Sequence, residues 1–206
     1  MNKSRLEAFS DGVFAIVITL LILDIHAPST SSLSVHDLRP LLPHVVTFVL
    51  SFVIVGVYWV AHHHMLHFIR QVDRNLLWLN LLLLLCVVFI PFPASLLGRG
   101  FANPLVVRLY GCTLIAKNAA GLFFWLYATS HRELVVAHLN REFVLWVTKI
   151  HSSPMLVYAA AVGIAGWSTA ISLVLFAAVP VFFIFPNRLL KRRIGAMTQA
   201  DHDTHA

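Results

Sequence analysis

The chain has 206 residues, 59% of them apolar, with a mean hydropathy of +0.81 and a net charge of +6. A soluble domain could not cover so much apolar surface, so the composition indicates an integral membrane protein without a separate soluble domain. The basic charge need not indicate a nucleic-acid partner, because its distribution along the chain is explained by membrane topology.

The first predicted helix, residues 5–25, has an apolar core that is preceded by ionisable side chains. Its apolar run begins at Gly12 and ends at Leu23, behind Arg5 and Asp11. Ionisable groups at membrane depth cost about 2.5 to 3.5 kcal/mol on insertion scales, so Asp11 is expected to face protein partners or water. Because no small-x-small cleavage site follows, this helix is expected to be retained as a pore or transport element.

One face of this helix forms an apolar stripe at alternating spacings of four and three. If several copies of the helix met around an axis, Ile16, Leu20 and Leu23 would form stacked apolar rings, with a hydroxyl from Thr19. Ordinary helix packing explains the same pattern, so the residues alone leave both interpretations open. The stripe consists of Arg5, Phe9, Gly12, Ile16, Thr19 and Leu23, with Leu20 beside it.

Five further spans are predicted, at residues 38–67, 76–97, 106–128, 146–166 and 168–187. The third is expected to break near Pro91, and the last two form a hairpin that turns at Gly166 to Thr169. Residues 131–149 mix charges with apolar side chains, which predicts an amphipathic helix on the cytoplasmic surface that leads into the fifth span. Four basic residues after the sixth span indicate that this span ends in the cytoplasm. The final DHDTHA is expected to be disordered.

Lysine and arginine residues are distributed unevenly between the two sides of these spans. Eleven lie on the side of the N-terminus and three on the other, a bias that places both termini in the cytoplasm and requires an even number of spans. The sequence therefore predicts an all-α protein, a single domain over residues 1–206, with six transmembrane helices. The eleven are Lys3, Arg5, Arg70, Arg74, Arg132, Arg141, Lys149, Arg188, Lys191, Arg192 and Arg193, and the three are Arg39, Arg99 and Arg108.

Several polar groups inside or beside the spans have more than one interpretation. A metal site is one interpretation of the four histidines near the end of the second span, His62, His63, His64 and His67. No metal is expected, because no second pair and no Cys, Asp or Glu partner completes a coordination shell. The preferred interpretation is that one of these imidazoles meets Asp11 or Ser10. Lys117, in the middle of the fourth span, is expected to snorkel or to pair with a backbone carbonyl or a neighbouring helix.

Enzyme activity is not expected, because the chain lacks a Gly-x-Ser-x-Gly, a phosphate loop and a pair of carboxylates within a span. The Thr-Val-Gly-Tyr-Gly filter that is typical of potassium channels is also absent. Any selectivity would have to come from partial dehydration at a narrow apolar ring, which costs less for potassium than for sodium. At the outer mouth, the carboxylate of Asp24 is expected to concentrate cations.

The run Arg5-x-x-x-Phe9-Ser10-Asp11, followed by Gly-Val-Phe-Ala-Ile, resembles the signature of the transmembrane protein 175 family of potassium channels. Further matches are Trp59-x-x-His62-His63 and the stretch from Asp73 through Asn80 to Pro91-Phe92-Pro93. The resemblance is strong over the first three helices, and the length of the chain is similar to that of the short, prokaryotic single-repeat type.

The resemblance implies a modestly selective potassium channel in the plasma membrane, assembled as a homotetramer whose four first helices line a central pore. Its narrowest point would lie at Ile16, within a constriction of Ile16, Thr19, Leu20 and Leu23, and potassium would be the permeant ion with no cofactor. A secondary transporter or proton pathway through Asp11 and the histidines of the second helix is the alternative. The family also implies a network that braces the pore helix, formed by Arg5, Phe9, Ser10, Asp11, Trp59, His62, His63, Asp73 and Asn80.

Overall fold

A computed structural model of the chain describes residues 2–27, 34–137 and 139–184. Within these ranges the fold is entirely helical and has no β-strand. Short 3₁₀ turns extend α1 through Leu21–Asp24 and join α2 to α3 through Arg39–Leu41. The helices are α1 Lys3–Leu20, α2 Val35–Leu38, α3 Leu42–His67, α4 Arg74–Phe89, α5 Pro91–Gly100, α6 Pro104–Ser130, α7 Arg141–Ile164 and α8 Thr169–Ile184.

Four helical units are long and apolar enough to cross a membrane: Lys3–Asp24, His36–His67, Arg74–Gly100 and Pro104–Ser130. They match the first four predicted spans to within a few residues. The helices α7 and α8 lie where the fifth and sixth spans were predicted, with the expected turn between them, although α8 has only 16 residues. Six spans and two cytoplasmic termini stay predictions. The predicted stop at Arg188, Lys191, Arg192 and Arg193 and the DHDTHA tail lie outside the described residues.

Side-chain caps explain where several of these helices begin. The carboxylate of Asp73 accepts a 2.7 Å hydrogen bond from the Leu76 amide at the start of α4, and Asn140 accepts one of 2.8 Å from Phe143 at the start of α7. Such oxygens satisfy amide groups that have no partner within the first turn. At Pro91, which has no amide hydrogen to donate, the third span is divided into α4 and α5 instead of ending.

The helix that was predicted over residues 131–149 forms only from Arg141 onward, so its first part was predicted wrongly. Val135 pairs with Ile69 in an isolated antiparallel bridge, and the Arg70 amide donates a 2.7 Å hydrogen bond to the Leu134 carbonyl. The backbone groups of Leu134 and Val135 are paired with the turn that follows α3. They are therefore not available for helical hydrogen bonds.

The core of the bundle lies around α6, which packs against α4, α5 and α7. Tyr110, Leu114, Phe124 and Trp125 on this helix are all fully buried. In contrast, α1 packs against α3 and α4 through one face only. The first helix therefore lies on the outside of the single-chain bundle.

Candidate functional site

The two faces of α1 differ sharply in exposure. Leu6, Ser10, Phe14, Val17 and Leu21 are buried against the rest of the chain. On the opposite face, Ile16 is 59% and Leu23 66% exposed although both are large and apolar. All seven residues of the predicted stripe are exposed in the single chain: Arg5, Phe9, Gly12, Ile16, Thr19, Leu20 and Leu23.

A buried hydrogen-bond chain fixes the rotation of α1 against α4. The Ser10 hydroxyl donates 2.9 Å to the Leu6 carbonyl on its own helix, and it accepts a 3.1 Å hydrogen bond from the Asn80 amide. Ser10 and Asn80 are both completely buried. Because buried polar groups are costly when unpaired, this contact holds one face of α1 inward and leaves the stripe outward.

Asp11 is held by the indole of Trp59 and not by a histidine. The Trp59 Nε1–H donates a 2.8 Å hydrogen bond to Asp11 Oδ1, and the His63 ring lies against this indole with 6.0 Å between centroids. This bond joins the N-terminal half of α1 to α3. It accounts for a carboxylate near membrane depth, because the charge has a strong donor.

His62 does not make the polar contact that the sequence suggested for one of the histidines. Its side chain is 1% exposed and lies between Phe14 at 5.6 Å and Phe124 at 5.9 Å between ring centroids. Neither imidazole nitrogen has a hydrogen-bond partner among the described residues. The predicted histidine contact with Asp11 or Ser10 is therefore wrong, since Trp59 and Asn80 occupy those positions.

The other residues that the family network implied lie apart from these contacts. Arg5 and Phe9 are exposed on the stripe, and the Arg5 side chain forms no hydrogen bond or ion pair within the described ranges. Asp73 instead ties the start of α4 to α6, because its Oδ2 accepts a 2.6 Å hydrogen bond from the Tyr127 hydroxyl. The structure thus brings Ser10 to Asn80 and Asp11 to Trp59 as two separate pairs.

In the 3₁₀ turn that extends the C-terminal end of α1, the carboxylate of Asp24 has partners that the sequence did not suggest. It accepts hydrogen bonds from the Ser95 hydroxyl at 2.6 Å and from the Arg99 guanidinium at 3.0 Å, and His44 Nδ1 lies 3.3 Å away. Only 20% of the Asp24 side chain is exposed. The positive charge of Arg99 therefore offsets the carboxylate. Sequence reasoning missed these partners, because the rotations of α3 and α5 that bring His44, Ser95 and Arg99 to Asp24 are not specified by the sequence pattern of either helix.

The hydroxyl of Thr19 has a simple local role. The Thr19 hydroxyl donates a 2.8 Å hydrogen bond to the carbonyl of Ile16, three residues earlier, so it satisfies the backbone where α1 tightens into a 3₁₀ turn. Among the described residues, no group of three metal-ligating side chains is close enough together to hold an ion.

The chain is all-helical, crosses the membrane several times and presents an apolar stripe on one helix. These features define a class of membrane proteins that includes ion-channel subunits. Residues 5–91 match the family model described as the endosomal/lysosomal potassium channel TMEM175. The chain belongs to the TMEM175 family. Membership in a family of ion channels also confirms the expectation that this protein is not an enzyme.

Two curated relatives and one solved structure support this assignment. A potassium channel of Chryseobacterium sp. is 39% identical over 58% of this chain and 62% of its own length. The human endosomal/lysosomal proton channel TMEM175 is 31% identical over 92% of this chain and 42% of its own length. The chain thus spans less than two thirds of either relative. The crystal structure of a lysosomal potassium-selective channel TMEM175 homolog from Chamaesiphon minutus has a TM-score of 0.78 and 30% identity, covering 88% of this chain and 95% of that one.

Proposed function

We propose that this protein is a potassium channel subunit and that four copies assemble around a central axis lined by α1. The observation that carries the proposal is the outward position of the stripe, whose large apolar residue Ile16 is 59% exposed while the neighbouring Val17 is 1% exposed. The bacterial relatives named potassium channels support the choice of ion.

In this arrangement, Ile16, Leu20 and Leu23 form successive apolar rings and Thr19 lies between them. An ion must shed part of its water to pass such a ring, which costs less for potassium than for the more strongly hydrated sodium ion. A Cβ added at Gly12 would meet nothing within 4 Å in the single chain, so the backbone is free for close approach by another α1. The two hydrogen-bonded pairs, at Ser10 and Asp11, would hold the rings in register.

The protein is proposed to work in the cell membrane, with six spans and both termini in the cytoplasm. The inner placement of Asp11 and the outer placement of Asp24 follow from this topology. Potassium would be the permeant ion, and no cofactor is needed for conduction through a ring of side chains.

Crosslinking between chains tests whether the stripes meet. In a chain with Cys86 and Cys112 replaced by serine, Leu23→Cys should give covalent dimers with a short bifunctional thiol reagent. Val17→Cys is the matched control, because that position faces the subunit's own core and should not crosslink. Equal crosslinking at both positions, or at neither, would contradict a shared axis.

Potassium flux into liposomes tests the activity itself. A channel moves potassium down its electrochemical gradient without a coupled ion, whereas a secondary transporter requires one.

A proton pathway is the second candidate, because the human relative is named a proton channel. Acidification of the liposome lumen without potassium movement would favour that alternative.

A further inference from the structure

The side chains that converge on the carboxylate of Asp24 divide its two oxygens between them. Ser95 and Arg99, both on α5, donate to Oδ1 at 2.6 and 3.0 Å. His44, in the first turn of α3, has its Nδ1 3.3 Å from Oδ2. While the imidazole is neutral, the charges of Asp24 and Arg99 cancel. The protonation state of His44 therefore decides whether this group of side chains is neutral or positive.

A glycine on α5 makes room for the His44 ring beside Asp24. A Cβ added at Gly98 would lie 2.8 Å from His44 Nδ1 and 3.3 Å from its Cγ, so a larger residue would push the ring away. At Gly100 on the same helix, the nearest atoms to an added Cβ would be 3.7 Å away, which is ordinary contact. The packing of α5 on α3 thus fixes the imidazole at Asp24 Oδ2.

Water can reach the His44 ring from the end of the bundle where α1 finishes. The side chain is 21% exposed and lines a cavity of about 220 Å³ together with Asp24, His26, Leu41 and Arg99. This volume has room for several water molecules, and the charged lining offers them hydrogen-bond partners. The imidazole can therefore exchange protons with the solution on this side of the membrane.

Few other charges face His44 from the elements around it. Among the described residues, the titratable or charged side chains that share its cavity are Asp24, His26 and Arg99. His26 is exposed, and its Nδ1 lies 3.0 Å from the backbone carbonyl of Asp24 and not at the carboxylate. The preceding α2 and the turn after it carry three more such side chains, none of which lines the cavity: His36, Asp37 and Arg39.

We propose that His44 makes potassium conductance sensitive to pH on the side of the membrane where α1 ends, an inference that rests on the proposed function. Histidine gains its charge within the range of about pH 5 to 8. A protonated His44 would add one positive charge to a neutral group in each of four subunits around the mouth of the pore. Positive charge there lowers the local concentration of cations. Potassium conductance should therefore fall as the pH on that side falls.

Single-channel recordings in planar bilayers test this inference, with the pH lowered from 8 to 5.5 on one side at a time. The lower value stays above the ordinary carboxyl pKa of about 4, so histidines are the main groups that change charge. At about 20 mM potassium, acid on the side where α1 ends should reduce the native conductance about twofold or more. Acid on the opposite side, which His63, His64 and His67 face, should have little effect.

Two substitutions at His44 reproduce its two charge states. His44→Gln should keep the high conductance at both pH values, and His44→Lys should give the low conductance at both. These differences should shrink at about 1 M salt, because the charges are then screened. His44→Asn serves in place of the glutamine variant if that one does not assemble.

His26→Gln is the matched control, because His26 lines the same cavity but is exposed and does not contact the carboxylate. It should retain most of the native response, since water and salt screen an exposed charge. A native pH response that persists in His44→Gln, or that disappears in His26→Gln, would overturn the inference, and so would a conducting native channel that does not respond to pH. Absence of potassium conductance at every pH would instead refute the proposed function, and this inference with it.

Discussion

The indole nitrogen of Trp59 lies 2.8 Å from Asp11 Oδ1, and this hydrogen bond joins the N-terminal half of α1 to α3. An aromatic side chain on the second span therefore fixes the position of the signature aspartate of the first helix. The orientation of the proposed pore helix therefore depends on a contact between an indole N–H donor and a carboxylate acceptor.

This contact predicts different effects for its two partners. Trp59→Phe keeps an aromatic ring but removes the donor, so the assembly should lose thermal stability and potassium flux. Asp11→Asn retains an acceptor oxygen for the indole and should be less harmful. Thermal melting of the purified protein, with flux measured in parallel, checks the order. If Asp11→Asn were the more damaging change, the charge of Asp11 would matter more than its hydrogen bond.

The buried Ser10–Asn80 pair predicts a coupled loss of stability. Ser10→Ala should cost about 1 to 3 kcal/mol, because the Asn80 amide then lacks its partner in a fully buried site. Adding Asn80→Leu should cost less than the sum of the two single changes. Ser153→Ala is the control, since the Ser153 hydroxyl bonds only to the carbonyl of Ile150 in an exposed turn of α7. Strictly additive losses would show that Ser10 and Asn80 do not interact.

Tight helix packing predicts that two glycines respond in opposite ways to alanine. A Cβ at Gly111 would lie 2.8 Å from Phe176 Cζ and 2.5 Å from Val162 Cγ2, whereas one at Gly163 would meet nothing within 4 Å. Gly111→Ala should therefore destabilise the bundle by about 1 to 3 kcal/mol through overpacking. Gly163→Ala should be neutral or slightly stabilising, because alanine favours a helix. Equal melting temperatures for the two variants would contradict the packing of α6 against α7 and α8.

The ion pair at the outer end predicts opposite changes in conductance. Asp24→Asn leaves Arg99 unopposed and should lower potassium conductance at low salt, whereas Arg99→Gln leaves the carboxylate unopposed and should raise it. The double variant should return close to the native value. The effects of both single substitutions should shrink at high ionic strength, since salt screens charges at the surface. Conductances that do not respond to either substitution would place Asp24 away from the ion path.

Much of the fold could be predicted from the sequence, because apolar length and basic loops constrain a membrane protein strongly. The first four spans and the turn between α7 and α8 were found from these patterns alone. The start of α7 was misplaced, because the bridge between Ile69 and Val135 joins segments that are distant in sequence. Periodicity within one segment contains no information about such pairing.

The site could be predicted only in part for the same physical reason. The stripe on α1 follows from helical geometry, and its exposure in the single chain agrees with that geometry. The partners of Asp11 and Asp24 depend on how α3 and α5 are rotated, which one sequence does not specify. Thus a histidine was expected where Trp59 bonds to Asp11, and the pairing of Asp24 with Arg99 was not predicted.

The potassium-to-sodium permeability ratio of Ile16→Ala, compared with that of Val17→Ala, tests the central claim most directly. The two residues are neighbours on α1, but Ile16 lies on the exposed stripe and Val17 in the subunit core. If four Ile16 side chains form the narrowest ring, Ile16→Ala should raise conductance and lower the ratio, with little loss of stability. Val17→Ala should lower stability and leave the ratio unchanged. An unchanged ratio in well-assembled Ile16→Ala protein would contradict the proposed constriction.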